Sequence, residues 1–308
     1  MLHFLTSRIL QGIAVIFEVL VITFFLQKVS PTSPFNSERN IPEEFRERYA
    51  AYYGYDKPWH VQLWKHCHAY LTFSPPDCIK TPGRGVGEII LQAFPVSVGV
   101  AVPALLLALA LGIPLGAIAA LRPNTYDDRA ATFFATLGIC LPSFVLGPLI
   151  ALLLGLKLRW FNVAGWEDAG DWVLPALTLG FIYSGYIARL TRGGLRETLA
   201  QDFIRTARAK GASEPAVVMR HAFKVACLPV LNFMGPTAAG LLTGSFIIEG
   251  VFQIPGLGQH FVSSALHRED NLAIGIAVFY AALIVLFNII VDLVQALLNP
   301  RITLRDDA

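Results

Sequence analysis

The sequence has 308 residues, of which 55% are hydrophobic and only 15% are charged, whereas soluble domains contain about 25% charged residues. The mean hydropathy of +0.56 excludes an ordinary soluble domain, and the net charge of +2 does not suggest a nucleic-acid partner. The charges cluster between long apolar runs, as expected for a protein that is surrounded by lipid.

About six stretches are long and apolar enough to cross the hydrocarbon core, which takes roughly 20 residues. In chain order they run from Ile9 to Val29, Pro95 to Leu121, Ala130 to Leu156, Trp172 to Ala188, Val225 to Ile248 and Leu272 to Leu298. The first is interpreted as a span rather than a cleaved signal peptide, because it approaches spanning length. Gly and Pro occur inside these stretches, and membrane helix bundles tolerate both. The predicted fold class is therefore an all-α membrane protein.

Basic residues predict the orientation of the chain in the membrane. The segment 189–224, between the fourth and fifth spans, is rich in them: Arg189, Arg192, Arg196, Arg205, Arg208, Lys210, Arg220 and Lys224. With six spans, this segment, Arg8 and the tail residues Arg301 and Arg305 fall on one side, which we predict to be the cytoplasm. Both termini are then cytoplasmic. The predicted organisation is the N-terminus and first span at 1–29, an extracytoplasmic insertion at 30–94 and a helical core at 95–308.

The insertion reads as a small folded segment. Residues Ile41 to Tyr53 form a charged amphipathic pattern that predicts a helix, and the Pro- and Gly-rich stretch from Pro75 to Gly85 predicts a loop. If the insertion lies in an oxidising compartment, Cys67 and Cys78 are predicted to form a disulfide, with two unpaired thiols as the alternative. The three histidines nearby, His60, His66 and His68, are interpreted as surface residues rather than metal ligands.

The sequence contains no signature of catalysis or of nucleotide binding. There is no GxxxxGK[ST] phosphate-binding loop, no HExxH and no GxSxG, so neither ATP binding by that route nor metalloprotease or serine-hydrolase chemistry is predicted. No catalytic residue, metal site or cofactor is assigned to this chain. Glu18 is the one carboxylate deep in a span, which by default marks a functional hypothesis; protonation or pairing across a subunit contact are the alternatives.

The strongest local signal lies within the basic segment. Asp202 can cap a short helix that Gly211 ends, and Ser213 can cap a second helix running to about Lys224, with Pro215 in its first turn. Phe203, Ala207 and Gly211 recur at i+4 spacing and predict a narrow apolar stripe. Two short helices on a cytoplasmic loop can transmit movement from a docked soluble partner. The alternative is a basic loop that only sets topology.

This segment resembles the cytoplasmic coupling loop of ABC importer permeases, in the variant of the dipeptide and oligopeptide branch. The pattern Glu-Ala-Ala, three residues, Gly is matched by Arg205-Thr206-Ala207 and Gly211, with a departure at its first residue. The resemblance implies that an ATPase contacts the chain through Phe203, Arg205, Thr206, Ala207, Arg208, Ala209, Lys210 and Gly211.

The resemblance extends along nearly the whole chain. It is carried by Met1 to Arg8, Ser33 to Phe35, Phe94 to Ser97, Leu141 to Phe144, Ala188 to Gly193, Gly244 to Gly258 and Asn299 to Ile302. In the long Gly244 to Gly258 stretch, the resemblance implies a periplasmic gate near the dock of a binding protein. The gate candidates are Glu249, Phe252, Pro255, Gly256 and Gly258. From the residues alone, the alternative is a structural re-entrant turn followed by a short amphipathic helix with Phe261, Val262 and Leu266.

The resemblance implies a type I ABC importer permease fold and alternating access. The implied partners are a second homologous permease, two P-loop ATPase subunits that bind ATP and Mg, a periplasmic or lipoprotein substrate-binding protein, and membrane lipid. The implied location is the inner membrane and the implied cargo is oligopeptides or dipeptides, with nickel, opines or glutathione as alternatives. Two other hypotheses are a stand-alone secondary transporter or channel, which usually needs ionisable residues at mid-membrane, and a membrane-embedded enzyme.

Two small-residue motifs lie in the predicted spans. Gly112-x3-Gly116 and Gly240-x3-Gly244 would allow neighbouring helix backbones to approach closely. Helix packing is the predicted role of both motifs, and a pore-lining role is the alternative.

Overall fold

A computed structural model describes residues 2–30, 43–81, 83–244 and 246–298. Within these ranges the regular elements are all helices, apart from one isolated β-bridge between Asp77 and Gly85, and the all-α fold class is confirmed. Four quoted motifs fall wholly or partly on positions outside the described ranges: position 1 of the opening motif, residues 33–35, residues 299–302 and position 245 of the gate stretch.

The helices follow the chain in an order close to the predicted one. They are α1 (Leu2–Val29), α2 (Glu43–Tyr53), α3 (Trp59–Leu71), α4 (Val86–Leu121), α5 (Tyr126–Cys140), α6 (Ser143–Ile150, continued as a π-helix over Ala151–Lys157), α7 (Val173–Leu199), α8 (Asp202–Ala209), α9 (Glu214–Ala216, continued as a π-helix over Val217–Ala222), α10 (Phe223–Ala226), α11 (Leu228–Gly244), α12 (Phe246–Val251), α13 (Leu257–Leu266) and α14 (Asp270–Leu298). The predicted insertion helix is present as α2, whereas α3 was not predicted.

Five stretches of helix in the described part of the chain are long and apolar enough to span a membrane. The third predicted span is different, because α5 and the helix that follows it, Ser143–Lys157, meet at an angle of 106°. The bend has a local cause. Leu141 has extended backbone angles (φ −81°, ψ 117°), as favoured for a residue that precedes proline, here Pro142. The count is therefore six only if this bent pair forms one span.

The chain divides into two compact units, and the first comprises residues 1–96 and 255–285. One of its apolar clusters joins Leu20 and Phe24 of α1 to Cys67 of α3 and to Ile274 and Val278 of α14. A second cluster is formed by residues of four elements: the loop before α4, the first part of α4, α13 and the first part of α14. Its buried members are Cys78, Val86, Ile89, Ile90, Ala93, Leu257, Leu272, Ile276 and Tyr280.

The predicted disulfide in this unit is not formed. Cys67 and Cys78 are both free and buried, and each packs in a different apolar cluster. Burial raises the pKa of the Cys78 thiol to about 11, which disfavours the reactive thiolate. The alternative of two unpaired thiols is therefore the one that the structure contains.

The loop before α4 is held by polar groups at the start of α14. Glu269 accepts hydrogen bonds from the backbone N–H groups of Ile79 and of Lys80, the latter at 2.6 Å. The side-chain amide of Asn271 donates to the carbonyl of Asp77 at 2.7 Å. Glu269 and Asn271 are both buried, so these bonds satisfy backbone groups that would otherwise lose water without compensation.

His66 of α3 is expected to make this unit less stable in mild acid. Burial, followed by the nearby Lys65 and Lys28, lowers the pKa of His66 from 6.5 to about 4. Between these two values the unfolded chain binds a proton that the folded chain does not, so the free energy of unfolding falls as the pH drops from 6.5 towards 4. The loss reaches about 3 kcal/mol at most.

The measurement is the unfolding temperature in detergent at pH 7 and pH 5. His66→Phe should reduce the difference between the two temperatures. His68→Phe, at an exposed position on the same helix, is the matched control and should leave the difference as in the unaltered chain. An unchanged pH response in His66→Phe would contradict the assignment.

The second unit comprises residues 97–254 and 286–308. Close backbone contacts hold α4 against α7, because side-chain atoms at Gly112 and Gly116 would collide with residues 184–191 of α7. The predicted packing role of this first glycine motif agrees with these contacts. For the second motif it stays a prediction, since among the described residues an added Cβ at Gly240 would meet the Tyr183 hydroxyl at 3.8 Å, which is an ordinary contact.

A charged pair joins α5 to α7 within the same unit. The guanidinium of Arg192 donates to both carboxylate oxygens of Asp128, at 2.7 and 3.0 Å. Asp128, which is 4% exposed, also accepts a bond from the backbone N–H of Asn124 at 2.9 Å. Because the pair makes two parallel hydrogen bonds, it fixes the orientation of α5 relative to α7 and also holds the two helices together. Arg192 stands out in the sequence only as part of the basic segment and of the Ala188–Gly193 motif, and no local pattern indicates that Asp128 is its partner.

Candidate functional site

The segment from α8 to α10 is a helix–turn–helix. Helix α8 ends at Ala209, and Gly211, two residues later, has a φ of +83°, the left-handed conformation that glycine adopts without steric cost. The N–H of Gly211 donates to Arg208 O at 2.9 Å, and that of Ala212 to Ala207 O at 3.2 Å. These two bonds form a Schellman motif, which satisfies carbonyls at the end of a helix. The predicted role of Gly211 in ending the helix agrees with this geometry.

The starts of α8 and α9 differ in part from the predicted ones. Residue Gln201, not Asp202, occupies the N-cap position of α8, and Asp202 instead pairs with Arg205 at 3.3 Å. Ser213 does stand at the N-cap of α9, with Pro215 in the first turn as predicted, but neither N-cap side chain makes a capping hydrogen bond. The starts are therefore stabilised by packing and turn geometry rather than by side-chain caps.

One face of the segment is buried on the ends of two long helices. Ile204 is fully buried and Ala207 is 8% exposed. They pack with Val217, Ala222 and Ala226 of the second arm, with Ala120 of α4 and with Leu195 of α7. The segment is thus joined directly to two helices long enough to span the membrane, and a displacement of it would move their ends.

The predicted apolar stripe of Phe203, Ala207 and Gly211 does not coincide with the buried face of the segment. Phe203 is 41% exposed and Gly211 is exposed, so of the three stripe residues only Ala207 faces the core. Ile204, one residue further along, provides the buried contact. The outer surface, which we call the outer face of the segment, consists of Phe203, Arg205, Thr206, Arg208, Ala209, Lys210 and Met219.

The outer face combines apolar and positively charged groups. Met219 is 66% exposed, and an exposed aromatic ring and thioether beside cations are typical of protein contact surfaces. Arg208 is held by a two-point pair with Glu214, at 2.7 and 3.2 Å, which bridges the two arms and lowers the pKa of the Glu214 carboxyl. The arrangement offers a rigid docking surface and no catalytic group.

The gate candidates Glu249 and Phe252 lie in the second unit. Glu249 is fully buried and accepts a hydrogen bond from the hydroxyl of Ser97 at 2.9 Å. Phe252 is 2% exposed, and its carbonyl accepts a bond from Gly165 N at 3.0 Å. After α12 the chain turns back, with Ile254 N bonded to Glu249 O at 2.8 Å. A turn and a short helix agree with both the gate and the re-entrant alternative.

The other three gate candidates lie in the first unit. Pro255 is exposed, Gly256 is the N-cap residue of α13, and Gly258 is buried in its first turn. Helix α13, which the sequence analysis predicted, packs through Leu257 and Phe261 into the cluster around the start of α4.

The described residues form no metal centre. No group of three or more His, Cys, Asp or Glu side chains in that part of the chain is placed to hold a metal ion. Glu18 lies on an exposed face of α1.

Comparison with known proteins matches most of the chain to one family. Residues 112–304 match the family model described as binding-protein-dependent transport system inner membrane component. The chain is 36% identical over 304 residues to the oligopeptide transport system permease protein OppB of Haemophilus influenzae, covering 98% of this chain and 99% of that protein. It is 38% identical over 304 residues to the dipeptide transport system permease protein DppB of Bacillus subtilis, covering 99% of each.

Solved structures agree on the fold. An amino acid ABC transporter with histidines superposes with a TM-score of 0.54 at 14% identity, covering 68% of this chain and 94% of that chain. An inward-facing MetNI methionine ABC transporter gives a TM-score of 0.55 at 17% identity, covering 68% and 96%. The predicted importer-permease fold is therefore confirmed.

Proposed function

Because the chain belongs to the family of binding-protein-dependent transport system inner membrane components, we propose that it carries oligopeptides or dipeptides across the inner membrane as one permease of an ATP-driven ABC importer. It is an ABC importer permease rather than an enzyme. The peptide cargo rests on the relatives named above, which match over nearly their full length. Those relatives do not favour a stand-alone transporter.

The coupling role is supported chiefly by the two-faced geometry of the segment from α8 to α10. Its inner face is packed on the ends of α4 and α7, while Phe203 and Met219 on its outer face are exposed. A soluble ATPase that docks on the outer face can therefore move the helix ends without any flexible link between them. This is the contact through which ATP binding would alter the preference of the permease between two states.

The proposed assembly contains a second homologous permease, two P-loop ATPase subunits that supply ATP and Mg, and a substrate-binding protein on the outside. The basic segment and both termini face the cytoplasm, and the insertion at 30–94 faces outwards, in accord with the distribution of basic residues. Glu249, Phe252, Pro255, Gly256 and Gly258 are assigned to the outer gate. The buried bond between Ser97 and Glu249 would tie α4 to α12 there.

The assignment of the coupling segment is tested by Phe203→Asp. A carboxylate on the outer face should disfavour an apolar contact with the ATPase, since a charge buried at an interface without a partner costs several kcal/mol. After purification in detergent, we expect the amount of ATPase bound to the tagged variant to be at least about tenfold lower than the amount bound to the unaltered permease. Because Phe203 is half exposed, the permease itself should still fold and purify.

Tyr126→Asp is the matched control, since Tyr126 is an exposed aromatic residue on the same predicted side of the membrane. Mass spectrometry of the purified material should find the second permease in both variants and the ATPases only in the control. Undiminished ATPase in Phe203→Asp would remove the coupling role from this face. A chain that purifies alone and moves solute into liposomes without ATP would overturn the importer itself.

A further inference from the structure

Helix α3 lies beside the ends of two spans rather than beyond them. Its Trp59 ring is 5.6 Å from that of Phe25, and its His66 ring is 5.7 Å from that of Phe24. Cys67 packs in the cluster that contains Leu20. Since a helix rises 1.5 Å per residue, Leu20 lies about 14 Å along α1 from Val29, where that span ends.

The contacts of α3 with α14 also lie well inside a long helix rather than at its end. The same cluster contains Ile274 and Val278, which lie about 6 and 12 Å along the helix from Asp270, where the last span begins. Both spanning helices therefore touch α3 inside their apolar lengths. A domain standing free in water would contact only the ends of the spans.

The side of α3 that faces away from these spans mixes apolar and basic residues. Trp64 is 68% exposed and Leu71 is 73% exposed, and their seven-residue spacing places them on one face of the helix. Trp59, beside the end of α1, is 56% exposed. The sequence of α3 contains no acidic residue, and its basic residues His60, Lys65 and His68 are exposed. Water is an unfavourable environment for the exposed Trp and Leu side chains.

Phe73, just after α3, adds a second observation. Its φ of 53° is the left-handed conformation that bulky residues rarely adopt, yet its side chain is 93% exposed. The chain itself supports this backbone conformation, because the N–H of Phe73 donates to Tyr70 O at 3.3 Å and the N–H of Ser74 donates to Ala69 O at 2.8 Å, which together form a Schellman motif. The exposed ring therefore adds one more apolar group at the end of α3.

We propose that α3 is an interfacial helix, and that Trp59, Trp64, Leu71 and Phe73 contact the head-group and acyl-chain boundary of the leaflet in which α1 ends. Tryptophan is enriched at this depth, whereas the ammonium of Lys65 donates to Tyr53 O at 3.4 Å within the chain. The continuity of this face with the exposed residues Phe25 and Leu26 of α1 favours lipid over a protein partner. The inference goes beyond the transport function, because it depends only on the spans crossing a bilayer.

The test is spin-label accessibility in the full chain, reconstituted in nanodiscs of phosphatidylethanolamine and phosphatidylglycerol. Labels are attached to Trp64→Cys and Leu71→Cys in a background with Cys140→Ala and Cys227→Ala, and signal from that background is subtracted. Collision rates are measured with oxygen, which enters lipid, and with a hydrophilic nickel chelate, which does not. Leu26→Cys on α1 is the lipid reference, and Arg48→Cys on the charged helix α2 is the water reference.

We expect the oxygen-to-nickel collision ratio at positions 64 and 71 to match Leu26→Cys and to exceed Arg48→Cys at least about tenfold, since apolar surroundings exclude the charged chelate. Ratios equal to that of Arg48→Cys would overturn the proposal in favour of an aqueous helix. Labels shielded from both reagents, either in the chain alone or only after a binding protein or second permease is added, would overturn it in favour of a protein contact. Because the readout does not use transport, it is independent of the proposed cargo and coupling.

Discussion

Gly194→Ala is expected to lower ATP-driven transport at least about tenfold, whereas Gly193→Ala leaves it unchanged. A Cβ at position 194 would collide with the backbone carbonyl of Ala226, while one at position 193 has nothing within 4 Å. A backbone carbonyl cannot turn aside as the end of a side chain can, and such overpacking costs about 1–3 kcal/mol. The collision would separate the second arm of the coupling segment from α7.

The pair of variants provides its own control, because the same methyl group is added at adjacent positions of one helix. Gly193→Ala should even raise the unfolding temperature slightly, since Ala is favoured over Gly in helices by about 1 kcal/mol. Transport is measured with the reconstituted importer, alongside ATP hydrolysis. We expect hydrolysis in Gly194→Ala to lose its dependence on cargo. Equal transport by the two variants would show that the contact between α7 and α10 does not carry the movement.

Glu249→Ala is expected to lower the unfolding temperature of the chain in detergent by several degrees, and Glu249→Gln by much less. Alanine leaves a cavity and removes the acceptor of the Ser97 bond, where both residues are fully buried. Loss of a buried hydrogen-bond partner costs about 1–3 kcal/mol, and each kcal/mol shifts the unfolding temperature by about 2–4 °C in a protein of 150–250 residues. Glutamine keeps the shape and an oxygen acceptor.

The comparison of the two variants separates the effect of the charge at Glu249 from the effects of side-chain volume and hydrogen bonding. If both variants unfold at the temperature of the unaltered chain, the buried bond does not stabilise the contact between α4 and α12. If Glu249→Gln destabilises the chain as much as Glu249→Ala, the charge rather than the hydrogen bond and volume is what the site requires. Circular dichroism during heating in one detergent suffices for the measurement.

Hydropathy located the spans but not the ends of the helices. Helix α4 begins at Val86 rather than Pro95, and α7 continues to Leu199 rather than stopping at Ala188. The predicted end of α7 at Ala188 followed the first charged residue, Arg189, and the predicted start of α4 followed Pro95 rather than a charge. A helix continues beyond such a residue wherever other elements cover its sides, as the coupling segment does around Leu195. The end of an apolar run is therefore not the end of a helix.

In the segment from α8 to α10, too, some features could be predicted from the sequence and others could not. Its two short helices and the turn at Gly211 were predictable, because glycine and proline act on the backbone locally. The buried face was not. Phe203 and Ile204 are adjacent apolar residues, and either could begin an apolar stripe. Only the positions of α4 and α7 decide that Ile204 is covered and Phe203 is exposed.

The sequence by itself determined that this protein is an all-helical membrane permease, because lipid requires long uncharged runs and the coupling motif is a local pattern. Tertiary structure alone decided the pairing of Asp128 with Arg192, the bond between Ser97 and Glu249, the separation of Cys67 from Cys78 and the packing of α3 against α1 and α14. Each of these depends on contacts between residues far apart in the chain. Residue type and local spacing determine backbone conformation and solvent preference, but which distant side chains meet depends on how the helices pack.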